Sequence, residues 1–541
     1  MFRENKQHLQ QSMLESTDWM DKGTKTIFDK SWAPIFYEQV FSQIDERPFS
    51  VLYSDVGAPN VPVNILLSLE IIKHMFDITD EDLLSRFRFD YLVNYAVGQG
   101  ALGEFSFSDR SLYYFRERLY IYTMEHPESE DLMFGQFKVL LKNFCDKTGQ
   151  IMDEQRTDTT MFTSNIKKSG RISLAFDVLV KGVRAIPSEL LSENLASVLK
   201  PGFKTEILYK SRSEQGESRL TQLLRLNQEA LEILITLPDS DSKVVEAKRI
   251  MMRLMSEQSE NSDNGQLVLK AGKDISANSL QSAYDEDATY RTKGSVSQSG
   301  YVLEVTETCS KENPMQFITD YHVEQNTVAD TDILMDRAEH ISATGCTDHY
   351  SDGGFYSEQV IEKAKSEGIE LHFTEMTGAE PKKSLSAADF SYNETDGHIK
   401  KCPNGQAPER TAETTTQLTA HFSKAACATC PLREQCPHKE NKRDVTVRID
   451  KKSVEAANQR MRIKRDRITN TSHRAAIEGS NSALKQKGLR KLWVRGKGKC
   501  VIVCGLKVIA QNVKRFLKYM QGGYDCFEKN ATNTMGVVCP S

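Results

Sequence analysis

No stretch of this chain is apolar for long enough to cross a bilayer. The best run, Val501 to Ala510, is broken by Lys507 and reaches about half of the roughly 18–20 residues a spanning helix needs. The opening residues, MFRENKQHLQQ, hold no apolar signal core, so secretion is not expected. Cysteine is sparse and odd in number, 11 in 541 residues. That is no disulfide framework; it predicts a reducing, cytoplasmic setting in which clustered cysteines bind metal rather than pair. The polarity that marks a disordered chain is also lacking, since 39% of residues are hydrophobic and 27% charged. What is present is length. At roughly 150 residues per domain, three or four domains are expected, or one domain with large insertions, and several cores can be buried without staples.

The net charge of −5 conceals an asymmetry. Residues 441–520 carry 22 Lys+Arg and 5 Asp+Glu, a balance of +17, which leaves −22 for the rest of the chain. A basic block in an acidic protein points to a local polyanion-binding surface, with a solvated basic helix face as the alternative.

Along the chain, residues 1–35 form a polar N-terminal segment, followed by a helical unit at 36–145. Ile65, Leu69, Ile72 and Phe76 fall on one helix face. Thr79 can cap a helix that buries Leu83, Leu84 and Phe87; Ser108 can cap another that buries Leu112, Phe115 and Leu119. Such a unit suits either a DNA-binding module or an interaction domain. Residues 186–285 read as a helical insertion with Leu223, Leu224, Leu231 and Leu234 in one helix and Val244, Ile250, Met251 and Leu254 in another. From 300 to 376 the period shifts. Strands are predicted at 301–309, 317–323, before Asp352 and at 369–374, with helices between, which implies an α/β sheet with parallel crossovers. Residues 377–440 are loop-rich and cysteine-rich. A basic helix is expected from about Ser453 to Gln486, stopping at Gly488, and a last helix from about Leu506 to Tyr519.

Three carboxylates stand where chemistry is possible. Asp352 follows a strand and precedes Gly353-Gly354, the strand end at which open α/β sheets place their sites, and the glycines leave room for a ligand or a metal to approach the backbone; a solvated turn Asp is the favoured reading of this stretch alone. Glu478, in RAAIEGSNSALKQKG, has Arg474 at i−4 and Lys485 at i+7 on one helical face. That is a surface ion pair, or a metal-binding carboxylate flanked by phosphate-contacting cations. Asp158 follows a possible strand at Gln150 to Asp153, with Asp153 and Glu154 as competitors. Together they matter because phosphodiester chemistry uses two divalent cations about 3.5–4 Å apart, and hard Mg²⁺ prefers carboxylate oxygens.

The segments RTDTTMFTSN, YRTKGSVSQSGY, HYSDGGFYS and RAAIEGSNSALKQKGLRKLWVRGKGK together resemble the bacterial insertion-sequence DDE transposases. IIKHMFDITDEDLLSRFRFDYLVNYAVG and FSDRSLYYFRERL resemble the helical N-terminal domain common in them. The resemblance spans roughly residues 40–500. It implies an RNase H-like α/β catalytic core, a mixed sheet flanked by helices, at 146–520. That core would be interrupted by the helical insertion at 186–285 and the Cys-rich insertion at 377–440, preceded by the all-α domain and followed by a tail at 521–541. It implies Asp158, Asp352 and Glu478 as catalytic, Mg²⁺-binding residues, with Mn²⁺ able to substitute. Arg474, Lys485, Arg291 and Lys293 are implied as DNA contacts. The family's Tyr near the Glu falls at Thr471 here, which puts that contact in doubt. The expected partners are double-stranded DNA, as terminal inverted repeats and as target, and a second copy of the chain in the DNA complex. No membrane is expected, and the protein is placed in the cytoplasm at the nucleoid.

Cys402, Cys427, Cys430 and Cys436 suit a structural, tetrahedral Zn²⁺ site, with His421 and His438 as substitute ligands and free thiols as the alternative. The implied reaction is metal-dependent cleavage at element ends followed by strand transfer. Its rivals are a nuclease or resolvase of the same fold without strand transfer, and an inactive transposase-derived DNA-binding regulator.

Overall fold

A computed structural model describes residues 1–522 other than 7, 9–15, 101, 104, 130, 210–215, 263–265, 376–384 and 394–396. Most of the expected tail, with Cys526 and Cys539, lies outside the described residues. After the short helices Lys22–Asp29 and Trp32–Gln39 come α1 (Val63–Phe76), α2 (Asp80–Phe89), α3 (Arg110–Glu125) and α4 (Leu132–Thr148). Strand β1 (Glu154–Phe162) is followed by α5 (Arg171–Ala185), α6 (Gly216–Thr236) and α7 (Ser242–Gln258). Next come β2 (Thr289–Lys293), β3 (Val296–Thr308), β4 (Ile318–Gln325), α8 (Asp330–Ala343), β5 (Asp348–Ser351), α9 (Glu358–Ser366) and β6 (Glu370–Phe373). The cysteine region holds β7 (Arg410–Glu413), β8 (Gln417–Phe422), β9 (His438–Glu440) and β10 (Val445–Asp450). The chain then forms α10 (Lys451–Ala475), α11 (Ile477–Leu484) and α12 (Lys497–Met520).

Two compact units divide these elements. The first comprises Met1–Met152, Asp158–Ile333 and the chain from Glu478 onward. In it β3 is antiparallel to β2 over Val296–Gly300, then to β4 from Tyr301, and it neighbours β1. Gly300 sits where β3 changes partner. Its φ is +149°, and a Cβ there would lie 2.2 Å from the Phe162 carbonyl oxygen, so only glycine lets the two backbones approach. Helix α12 packs on α1, α3, α4 and β4; Asn512 clasps β4 through the N–H and C=O of Ile318 at 2.9 and 2.7 Å.

Helix α1 departs from the one-faced expectation. Val63 to Met75 are all buried, and of the expected stripe only Phe76 is exposed. Burying Glu70 and Lys73 requires partners. Arg116 pairs Glu70 and Asp80 at 2.6 Å each, and Lys73 pairs Asp80 at 2.7 Å. Burial pushes the Asp80 carboxyl up, but hydrogen bonds from Arg116 and Lys73 outweigh it and hold the group low. Thr79 accepts from the Asp82 N–H as anticipated. The α3 cap is Asp109, one residue past Ser108. In the helical block, α5 contributes Leu174, Val178 and Leu179 to the core shared with α6 and α7, so this core begins before residue 186.

The second unit comprises Asp153–Thr157 and Leu334–Ile477. The first residues of β1 pair in parallel with β5, with Glu154 opposite Asp348, and β5 pairs in parallel with β6. Helix α9 starts at its Ser357 cap and packs Val360 and Ala364 against Phe373 and Leu371. The region read as loop-rich instead forms a four-stranded antiparallel sheet in the order β7, β8, β10, β9. Its signal is in the chain: Leu418, Ala420 and Phe422 are buried and alternate with Gln417, Thr419 and His421, a period of two. The single basic helix expected over 453–486 is interrupted at Ala476, between α10 and α11. Gly488 ends the segment at φ +81°.

The mixed α/β architecture, with antiparallel and parallel strand pairs flanked by helices, is compatible with an RNase H-like core. Among the described residues no helix is long and apolar enough to cross a membrane.

Candidate active site

Asp158 lies within a strand rather than after one. The strand expected at Gln150 to Asp153 runs instead from Glu154 to Phe162. The β-branched Thr157, Thr159 and Thr160 favour the extended backbone there. Asp158 is buried, 9% exposed, and its Oδ2 accepts from Asn481 Nδ2 at 3.0 Å. Asn481 is on α11, three residues beyond Glu478 and four before Lys485. Positions i and i+3 share one helix face, so α11 turns Glu478 to the side on which Asn481 meets Asp158, and Lys485 directly follows the helix. Burial lowers the Lys485 ammonium below its usual range, and Arg490 and Lys293 add to this, while Asp158 opposes it. Ser480 anchors the helix by donating to Glu307 Oε2 at 2.5 Å, and Arg515 pairs the same buried carboxylate at 3.1 Å.

Arg291 and Lys293 are on β2. Lys293 is exposed. Arg291 is held by Asp330 at 3.5 Å and by the Asn326 carbonyl at 3.2 Å. Asp330 also accepts from the Thr159 hydroxyl at 3.2 Å, which ties β2 to the strand that carries Asp158.

In the second unit Asp352 follows β5 directly. Its Oδ1 accepts from the Gly354 N–H at 2.7 Å, and Arg474 Nη2 stands 3.4 Å from its Oδ2. The space expected beside Gly353 is filled by the chain itself: a Cβ there would lie 2.8–2.9 Å from the Glu375 side chain and carbonyl oxygen. Helix α10 is tied down nearby. Arg156 Nη1 donates to the His473 carbonyl at 2.6 Å, and Tyr350 stacks on both His372 and His473.

Cys402, Cys427 and Cys436 pack against the β8–β10 core. Burial and the neighbouring Cys427, Cys402 and Cys430 push the Cys436 thiol up to about 11. His421 is engaged by Asp444 at 2.9 Å, and His438 Nδ1 lies 3.1 Å from the Cys436 carbonyl oxygen. Four thiolates match a tetrahedral zinc donor set without either histidine. A separate carboxylate–histidine group, Asp348, Glu370 and His372, begins β5 and β6 with ligand atoms within 4.8 Å. It contains none of the expected site residues, and Asp348 already pairs His372 at 2.8 Å while Glu370 pairs Arg462.

Residues 401–517 match the family model described as Transposase DDE domain, and residues 27–118 match Transposase domain (DUF772). These two matches support an insertion-sequence DDE transposase. The DDE match contains Arg474, Glu478, Lys485 and the four clustered cysteines; Asp158 and Asp352 precede it. Comparison with curated proteins yields no significant match, and comparison with solved structures yields none either.

Sequence reasoning about the transposase missed Asn481 and Asp330. Asn481 was accessible through its spacing from Glu478. Asp330 gave no local signal, because its partners Thr159 and Arg291 are far from it in sequence.

Proposed function

We propose that the transposase cuts DNA at the ends of its insertion sequence and joins the exposed 3′-hydroxyls to target DNA. The observation that carries this is the Glu478 helix: it lies within the DDE match, and its next turn hydrogen-bonds Asp158. Two aspartates and a glutamate form an all-oxygen donor set that suits Mg²⁺ or Mn²⁺. Asp158, Asp352 and Glu478 are the residues assigned to hold the metal, which when bound activates the attacking oxygen and stabilises the leaving one.

The remaining roles belong to the chain. Asn481 fixes the Asp158 carboxylate, leaving its orientation set before DNA arrives. Arg474 and Lys485 contact phosphates beside the cut strand, assisted by Lys293. Arg291, held by Asp330, positions β2. The basic stretch 441–520 supplies much of the affinity. Two ends are processed together, which calls for a dimer in the DNA complex. The four cysteines hold a structural zinc that stabilises the β7–β10 sheet without entering the chemistry.

The test supplies end-containing DNA, a target plasmid and Mg²⁺. Joined products, lost in Glu478→Gln, are expected. Cutting without joining favours the nuclease reading, and binding without cutting favours the regulator.

A further inference from the structure

The helical block has no part in the reaction just described, yet one of its faces is charged unlike the rest. Helix α5, the short helices Glu193–Val198 and Pro201–Leu208, and the segment leaving β1 line a cleft of about 740 Å³. Its cations are Lys167, Arg184, Lys200, Lys204, Lys491 and Arg495, all exposed. Among the described residues the only carboxylate lining it is Asp177. The first five cations make no ion pair among the described residues.

Two lysines elsewhere on the helical block have acidic partners. Lys181 pairs Glu246 and Lys248 pairs Asp239, each at 2.6 Å. A concave wall that gathers five unpaired cations focuses positive potential and repels itself. A polyanion relieves that repulsion. Burial pushes the Asp177 carboxyl up, whereas Lys167 and Lys204 pull it down; one acid cannot neutralise the group.

We infer that this cleft binds the phosphate backbone of duplex DNA alongside the cut site. The inference rests on the transposase reading and adds a binding function for the helical insertion. The cations come from separate segments of the chain, Lys167, Arg184, Lys200 with Lys204, and Lys491, and line one cleft; five positive charges are neutralised by a polyanion and not by a single small anion. The placement also fits. Thr163 follows β1 and bridges to Lys491, five residues beyond Asp158. At ~3.3 Å per strand residue this is roughly 16 Å, or about five base pairs at ~3.4 Å each. DNA cut beside Asp158 would therefore pass the cleft within half a helical turn.

The test uses full-length protein carrying Lys167→Gln, Arg184→Gln, Lys200→Gln and Lys204→Gln. A control carries Lys273→Gln, Lys311→Gln, Lys365→Gln and Lys400→Gln, four exposed lysines elsewhere. Affinity for duplexes from the gene's flanks is measured between 50 and 200 mM salt, with unfolding midpoints as a check on folding. The cleft variant should bind about tenfold or more weakly, and its slope of log K against log salt should shrink by about 3–4, at roughly 0.9 per phosphate lost. The control should shift far less. Equal slopes and affinities in the two variants, with wild type still binding and cutting, would overturn the cleft and leave the transposase reading standing. Wild-type protein that neither binds nor cuts DNA would overturn both.

Discussion

A hydrogen bond from Asn481 to Asp158 means that one carboxylate of the proposed triad is oriented by the helix that carries another. Removing it by Asn481→Ala should leave folding intact and slow single-turnover DNA cleavage about 10–100-fold, the usual effect of losing a group that orients a metal ligand. An unchanged rate would make the contact merely structural. A second residue reports on pH. His349 is fully buried and accepts or donates at the Thr157 hydroxyl, 2.6 Å away. Burial, with the nearby His372 charge, lowers its pKa to about 3, against ~6.5 when unfolded. The folded state favours the neutral ring, so its contribution is complete above about pH 6.5 and is lost progressively as pH falls toward 3. Unfolding midpoints measured from pH 7 to 4 should therefore fall less steeply in His349→Gln than in wild type.

Among the elements, the closest backbone approach and the buried ion network set the strongest constraints. Gly300→Ala would force a Cβ against the Phe162 carbonyl and should cost about 1–3 kcal/mol, read from denaturant midpoints. Arg116→Ala would strand Glu70, whose side chain is 1% exposed. Breaking such a buried pair costs about 3–5 kcal/mol, so this variant should unfold first of those named here. The periodic elements were legible in the chain: the strand expected before Asp352, the strand expected at 369–374 and the helix between them correspond to β5, β6 and α9. The sheet of the cysteine region was not, because its strands are short and Gly, Pro and Thr between them read as loop. The position of β1 was misplaced because the strand is buried on both faces by polar residues, with Gln155, Arg156, Thr157 and Asp158 all buried. A strand whose buried residues are polar carries no hydrophobic period.

At the scale of the whole molecule, charge and family agree. The +17 stretch at 441–520 overlaps the DDE match, and DNA affinity should fall steeply with salt, about tenfold per phosphate contact for each tenfold rise in salt. Chelation offers a separate check. If the cysteines hold zinc, its removal should lower the unfolding midpoint, and purified protein should contain close to one zinc per chain. The candidate site was readable only as scattered motifs. Asp352 lies 194 positions beyond Asp158 and Glu478 lies 126 beyond Asp352, and no local pattern links them. What the sequence could not reveal were the contacts that fix them, Asn481 on Asp158 and Arg474 on Asp352, since these depend on packing.

The most direct measurement incubates purified protein and Mg²⁺ or Mn²⁺ with DNA carrying the sequences that flank its gene, comparing wild type with Asp352→Asn. Discrete cuts at both flanks, absent from the variant and absent without metal, are the predicted result. Equal cutting by wild type and Asp352→Asn would contradict the proposed triad, and DNA left intact by both would contradict the proposed reaction.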